Sequence, residues 1–156
     1  MATLTAPDVG QTAPEFKLKA GDGQFVTLSE YRGKRPVVLA FYPLAFSPVC
    51  SHQLPTIERD LGKIRALDAE VLGISVDSHY ANAEFARKLQ LSFSLLSDFK
   101  REASTAYGML LDSGYSGRAL FVVGRDGRIA YRDISPTTAE IPSNAELLRA
   151  LEALPR

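Results

Sequence analysis

Pro36-Val37-Val38-Leu39-Ala40-Phe41-Tyr42-Pro43 holds six apolar residues in an unbroken run between two prolines. A strand with one wet face alternates apolar and polar residues, whereas a strand covered on both faces does not need to. The run is too short for a helix and is rich in β-branched and aromatic side chains, so 37–42 is expected to be a buried central strand. Downstream, Leu54, Ile57, Leu61 and Ile64 recur at steps of three and four, with Glu58, Arg59, Asp60, Lys63 and Arg65 on the other side. That spacing predicts an amphipathic helix. Val71-Leu72-Gly73-Ile74-Ser75-Val76 reads as a second buried strand, and Ser78 to Leu89 as a second helix with Ala81, Phe85 and Leu89 on one stripe. Strand, helix, strand in this order implies parallel strands joined by a right-handed crossover.

Further out the pattern changes. Leu120-Phe121-Val122-Val123, the turn Gly124-Arg125-Asp126-Gly127 and Arg128-Ile129-Ala130-Tyr131-Arg132 predict a β-hairpin. Ser143 and Glu146 have capping-box spacing ahead of Leu147, Leu148, Leu151 and Leu154, which predicts a last helix. On the amino-terminal side, Gly21-Asp22-Gly23 is a turn before a short strand at Gln24–Leu28, and Ser29–Gly33 is one helical turn closed by glycine. Residues 1–8 are expected to be a tail and 9–156 a single domain. The whole predicts an α/β, thioredoxin-like fold: a central mixed sheet flanked by helices, with the site at the carboxyl ends of the strands, where helices begin.

Eighteen basic and eighteen acidic residues balance, so nothing recommends nucleic acid or an anionic membrane as partner. No run of about 18 apolar residues is present, and the first residues lack the layout of a signal peptide, so a cytoplasmic location is expected. A single cysteine excludes an internal disulfide and an all-cysteine metal cluster. With two histidines besides, His52 and His79, neither metal nor cofactor is expected.

Cys50 falls in Tyr42-Pro43-Leu44-Ala45-Phe46-Ser47-Pro48-Val49-Cys50-Ser51-His52-Gln53, where the first strand has ended and its helix starts. Unpaired N–H groups at a helix start favour an anion, and a thiolate is one. A free thiol with pKa near 8.5 is only about 3% ionised at pH 7, so complete ionisation gains only about 30-fold. Fast chemistry at Cys50 therefore needs partners that orient a substrate and stabilise developing charge. Ser47, one helical turn earlier, offers a hydroxyl on the same face, or else it caps the helix. Pro43 and Pro48 stiffen the loop and remove N–H groups. Pro55 either interrupts a helix running from Cys50, orphaning the Ser51 carbonyl, or sits in the first turn of a later helix.

Pro43-x-x-x-Ser47-x-x-Cys50 resembles the signature of the peroxiredoxins: Pro, three residues, Thr or Ser, two residues, Cys. Ala13-Pro14-Glu15-Phe16, Phe41-Tyr42-Pro43, Leu95-Leu96-Ser97-Asp98 and Arg118-Ala119-Leu120-Phe121-Val122-Val123 fall where that family has similar segments, so the likeness covers roughly 9–135. The resemblance implies a hydroperoxide reductase for antioxidant defence. Cys50 would be oxidised to a sulfenic acid, Ser47 would orient the peroxide, Pro43 would shield the thiolate, and Arg118 would stabilise thiolate and transition state. Read alone, Arg118 is a surface charge at the head of a strand, placed at the Cys50 end of the sheet if the strands run parallel. The family's resolving cysteine, often five residues on in the bacterioferritin comigratory protein group, is here Pro55. The chain is thus similar to one-cysteine members such as alkyl hydroperoxide reductase E. That implies an external thiol reductant (thioredoxin, a glutaredoxin-like protein or a low-molecular-weight thiol) or an intersubunit Cys50 disulfide. A homodimer is also implied, and Leu44-Ala45-Phe46 is either a contact surface or core. Gln53 stands where one-cysteine relatives often carry an acid and should face the site.

Two other readings compete. A thioredoxin-type disulfide reductase would need a second cysteine where Ser47 stands and a proline near Arg118. A thioredoxin-like redox or holdase module would carry Cys50 as a structural residue only.

Overall fold

The computed structural model describes residues 5–155, the side chain of Cys50 excepted. Of the tail expected over 1–8, residues 1–4 lie outside the described residues. The first strands are β1 (Lys17–Lys19), β2 (Phe25–Thr27) and the expected central strand, β3 (Val37–Phe41). Every residue of β3 is buried. Val37, Leu39 and Phe41 enter one core with Phe16, Tyr107 and Phe121, while Val38 and Ala40 enter a second with Leu54, Ile57, Ile64 and Leu147. Successive strand side chains point to opposite faces, so two covered faces demand an unbroken apolar run.

From β3 the chain passes into α1 (Cys50–Ala66), β4 (Glu70–Ser75), α2 (His79–Leu89), β5 (Ser94–Ser97), α3 (Glu102–Ala106), β6 (Ala119–Val123), β7 (Ile129–Ile134) and α4 (Asn144–Glu152). The sheet order is β2-β1-β5-β4-β3-β6-β7. β3, β4 and β5 are parallel. Helices α1, α2 and α4 share one face, since Leu54, Phe85 and Leu151 join the same core. The other face is closed by the amino-terminal segment and α3, through Phe16, Leu28 and Ala103. Phe41, Tyr107 and Phe121 form a ring cluster there, with centroids 5.3–5.7 Å apart.

Two features differ from the sequence expectation, and one open alternative closes. β1, β5 and α3 were not anticipated as elements. β5 carries only two apolar residues, Leu95 and Leu96, β1 only Leu18, and α3 is a single turn too short for a stripe. The capping box does not form: Ser143 occupies the N-cap of α4, but its side chain makes no cap bond, and Glu146 pairs instead with Arg149 at 2.9 Å. The Ser143 N–H that Glu146 would accept from in a capping box is already taken, donating to Asp133 Oδ2 at 3.4 Å. Finally, α1 is continuous from Cys50 with Pro55 inside it, which settles the two alternatives for that proline. Its missing N–H leaves the Ser51 carbonyl without the usual donor one turn into the helix.

Ile57 is 1% exposed and lies midway along the stripe that seats α1 on the sheet. Ile57→Ala is expected to lower unfolding free energy by about 2–5 kcal/mol, read as a lower urea midpoint at unchanged slope.

Candidate active site

The loop between β3 and α1 is shaped before any side chain acts. Pro43 is buried, and the chain turns through Phe46, whose φ of 69° is unusual for a residue with a Cβ. Neighbours hold that strained residue in place. Its ring lies 5.0 Å from that of Phe85, and Lys88 Nζ is 5.9 Å from its centroid. Next to it the Ala45 N–H donates to Asp77 Oδ2 at 2.8 Å, and the Ser75 hydroxyl donates to the same oxygen at 2.7 Å. Tyr42 OH donates to Asn82 Oδ1 at 2.6 Å, and Asn82 Nδ2 reaches Ser75 Oγ and the Leu96 carbonyl. This buried polar chain fastens the loop to α2, β4 and β5.

Helical winding starts at Ser47. Its carbonyl accepts from the Ser51 N–H at 3.0 Å and from the Ser51 hydroxyl at 2.9 Å, so positions 47 and 50 are one turn apart. Ser47 does not cap α1 by its side chain; the N-cap is Val49, in helical conformation and without a side-chain bond. The Ser47 hydroxyl is buried, with no hydrogen-bond partner among the described residues. Dry, unpaired hydroxyls are costly and call for an explanation.

Arg118 reaches the same place from the far side of β3, for the opposite reason to the one expected. β6 runs antiparallel to β3, with Phe41 opposite Ala119, so the head of β6 meets the tail of β3. Parallel strands would have put Arg118 at the other end of the sheet. It is also no surface charge, being 2% exposed. Its Nη1 donates to Gln53 Oε1 at 2.7 Å and its Nε to the Thr138 carbonyl. Gln53, on the first turns of α1, is 1% exposed, and its Nε2 has no partner among the described residues. No ion pair among the described residues includes Arg118. Pro43, Ser47, Val49, Tyr115, Arg118 and Thr138 line one cavity of about 250 Å³. Two larger hollows, of about 310 and 450 Å³, lie against Val37 and Val123 at the opposite strand ends and against the β1–β5 edge.

The sequence-derived residues Pro43, Ser47 and Arg118 are therefore neighbours around the start of α1, where the Cys50 backbone lies. Gln53 lies near the site as its spacing required, reaching it through Arg118 rather than lining the cavity. His52 is exposed, and His79 opens α2 beside the N-cap Ser78, so neither joins the cluster. Thr138 and Asp77 escaped the sequence reading: Thr138 contributes only a carbonyl from an irregular segment, and Asp77 sits in an ordinary-looking turn. No cluster of three histidine, cysteine, aspartate or glutamate residues that could hold a metal occurs among the described residues. None of their helices is long and apolar enough to cross a membrane.

The mixed thioredoxin-like sheet and the sequence that builds it are matched by known proteins. The AhpC/TSA family model matches residues 9–132, and the chain belongs to that family. It is 38% identical to the chloroplastic 2-cysteine peroxiredoxin of Chattonella marina var. antiqua, over 94% of this chain and 80% of the relative. It is 37% identical to alkyl hydroperoxide reductase E of Mycobacterium tuberculosis, over 81% of this chain and 85% of that one. Among solved structures, reduced 2-Cys peroxiredoxin of Plasmodium vivax superposes with a TM-score of 0.86 at 33% identity, covering 93% of this chain and 80% of that chain. The chain is a peroxiredoxin, a thiol-dependent peroxidase, and it has one cysteine with which to be one.

Asp77→Ala removes the acceptor for both Ala45 and Ser75. Amide exchange at Ala45 and its neighbours is expected to accelerate by about tenfold or more, corresponding to loss of one part-buried hydrogen bond of about 1–3 kcal/mol. Hydrogen-exchange mass spectrometry of the loop peptide reads this directly.

Proposed function

We propose that Cys50 is the peroxidatic nucleophile, Arg118 its electrostatic partner, Ser47 the hydroxyl that orients the peroxide and Pro43 the shield of the thiolate. The supporting observation is the buried Arg118 guanidinium with no carboxylate paired to it among the described residues. Burying an unpaired cation costs several kcal/mol unless an anion answers it. A Cys50 thiolate at the adjoining helix start would be that anion. At an effective dielectric of about 20, an anion roughly 5 Å from the guanidinium gains about 3 kcal/mol, or about two pKa units. A helix start adds about 0.3–1 kcal/mol.

In the proposed reaction the thiolate attacks one peroxide oxygen. An S–O bond forms as the O–O bond breaks, the sulfur is oxidised by two electrons, and the alkoxide or hydroxide leaves and takes up a proton. Ser47 is suited to accept a hydrogen bond from the bound peroxide and to donate to the departing oxygen. Arg118 answers the charge that moves from sulfur to oxygen. An external thiol then attacks the sulfenic sulfur, expels water and leaves a mixed disulfide, which a second thiol reduces. Hydrogen peroxide and organic hydroperoxides are the substrates in this reading. The reductant is thioredoxin, a glutaredoxin-like protein or a low-molecular-weight thiol. Cytoplasmic antioxidant defence is the setting.

A homodimer belongs to the same proposal. Phe46 is 47% and Tyr80 76% exposed. Phe46 follows Ala45, whose N–H bonds to Asp77, three residues before Tyr80. Burying such rings against a second copy would remove a large apolar area from water.

Reduced protein treated with one equivalent of hydrogen peroxide should yield one trapped sulfenic acid by intact mass, absent in Cys50→Ser. Arg118→Ala should slow trapping by about 100-fold or more, the usual loss on removing a stabilising donor. Peroxide consumption that survives Cys50→Ser would remove Cys50 from the mechanism.

A further inference from the structure

We propose that Gln53 sets the charge of the site: it holds Arg118 through a neutral acceptor, so that the guanidinium's positive charge is left uncompensated for the thiolate. The proposal rests on the peroxidase reading above and goes beyond it, because it assigns reactivity to an uncharged residue that takes no part in the chemistry. Gln53 is a positioning residue, acting through Arg118.

The hydrogen bond identifies which atom does the holding. Arginine has donors only, so the side-chain atom 2.7 Å from Arg118 Nη1 is the Gln53 carbonyl oxygen. The amide nitrogen is then the buried donor left without a partner among the described residues. A glutamate would present an oxygen to Arg118 just as well and would carry no idle donor. Hydrogen bonding to Arg118 is thus no reason for an amide here, and burying the spare N–H costs free energy. The amide differs in charge. A carboxylate at 53 would form a buried ion pair with Arg118 and bring the net charge facing the thiolate from one to zero. At 1% and 2% exposure, salt would screen that difference little.

The other charged or titratable groups around the site do not substitute for it. Tyr115 lines the cavity beside Arg118. His52, on the same helix, is exposed, and Glu140, in the segment after β7, is exposed as well. Asp77, at the start of α2, is occupied by the Ala45 N–H and the Ser75 hydroxyl. None of these makes an ion pair with Arg118, so Gln53→Glu would introduce a carboxylate where the described residues place none.

The sign follows. A nearby cation favours the thiolate and lowers the thiol's pKa, and neutralising that cation raises it again. Gln53→Glu is expected to raise the Cys50 pKa by about one unit. With both pKa values above the working pH, the thiolate fraction falls about tenfold; with both below it, the fractions converge. The ratio of wild-type to variant rates should therefore shrink from about ten to about one as pH rises.

The single cysteine makes the measurement direct. The pH dependence of alkylation by iodoacetamide titrates Cys50 alone in wild type, Gln53→Glu and Gln53→Leu, and sulfenic-acid formation with hydrogen peroxide is followed over the same pH range. Gln53→Glu should move both profiles upward together. Gln53→Leu removes the acceptor but adds no charge, so its alkylation profile should not move upward while its peroxide rate falls at every pH as Arg118 loses an anchor. Superimposable alkylation profiles for wild type and Gln53→Glu would overturn the proposal, since a spacer role is indifferent to charge. If Gln53→Glu does not fold, the Gln53→Leu alkylation profile decides: no upward shift upholds the proposal, since the charge facing the thiolate is unchanged, and an upward shift overturns it. Wild-type protein reacting with peroxide no faster than a free thiol would refute the peroxidase reading instead, whatever the alkylation profiles show.

Discussion

Antiparallel pairing of β3 with β6 is the constraint on which the site depends. Phe41 faces Ala119 across that ladder, so the residue before β6 lies beside the residues that follow β3. One of those positions is Arg118, and the other leads through a short loop into α1. Neither strand can slip. A shift by one residue would turn Val37, Leu39 and Phe41 out of one core and Val38 and Ala40 out of the other. The cores on both faces therefore fix the register, and the register places a buried cation at the start of a helix.

The fold was legible where burial writes itself into periodicity. The unbroken run of β3, the three- and four-residue steps of α1 and the hairpin of β6 and β7 each follow from which faces are covered. β1, β5 and α3 were illegible because each buries too few residues to leave a pattern. Leu18 is the one buried residue of β1, and it reads as noise in a three-residue segment. Ser143 shows the reverse error: a local rule was satisfied in sequence, but Glu146 found Arg149 instead. Local side-chain bonds are worth too little to be decided by spacing alone.

At the site the same division holds. Cys50 and Ser47 stand close in sequence, and their relation depends on one turn of helix, which the Ser51-to-Ser47 bond supplies. Arg118 is far away in sequence and carries no local mark. Read by itself it was an exposed charge, and its burial comes from strand order, which only long-range pairing determines. The resemblance to the peroxiredoxins pointed to it before any physical argument could. Gln53 lies between these cases: helical spacing placed it on the right face, while its bond to Arg118 required both α1 and β6.

The loop before α1 shows how a fold with a tightly packed core can hold a reactive segment in place. Phe46 adopts a positive φ that costs of order 1–3 kcal/mol. The bond from Ala45 to Asp77, the ring contact with Phe85 and the rigid buried Pro43 offset that cost on all sides. Asp77 in turn is fixed by Ser75, and Ser75 by Asn82, whose other partners are Tyr42 and the backbone of β5. The loop is thus anchored through side chains to two strands of the sheet. The α1 backbone is weakest close by, where Pro55 withholds a donor from Ser51. Side-chain anchoring before the helix and a missing backbone bond just inside it put the firmest and the least bonded parts of this stretch side by side in the chain.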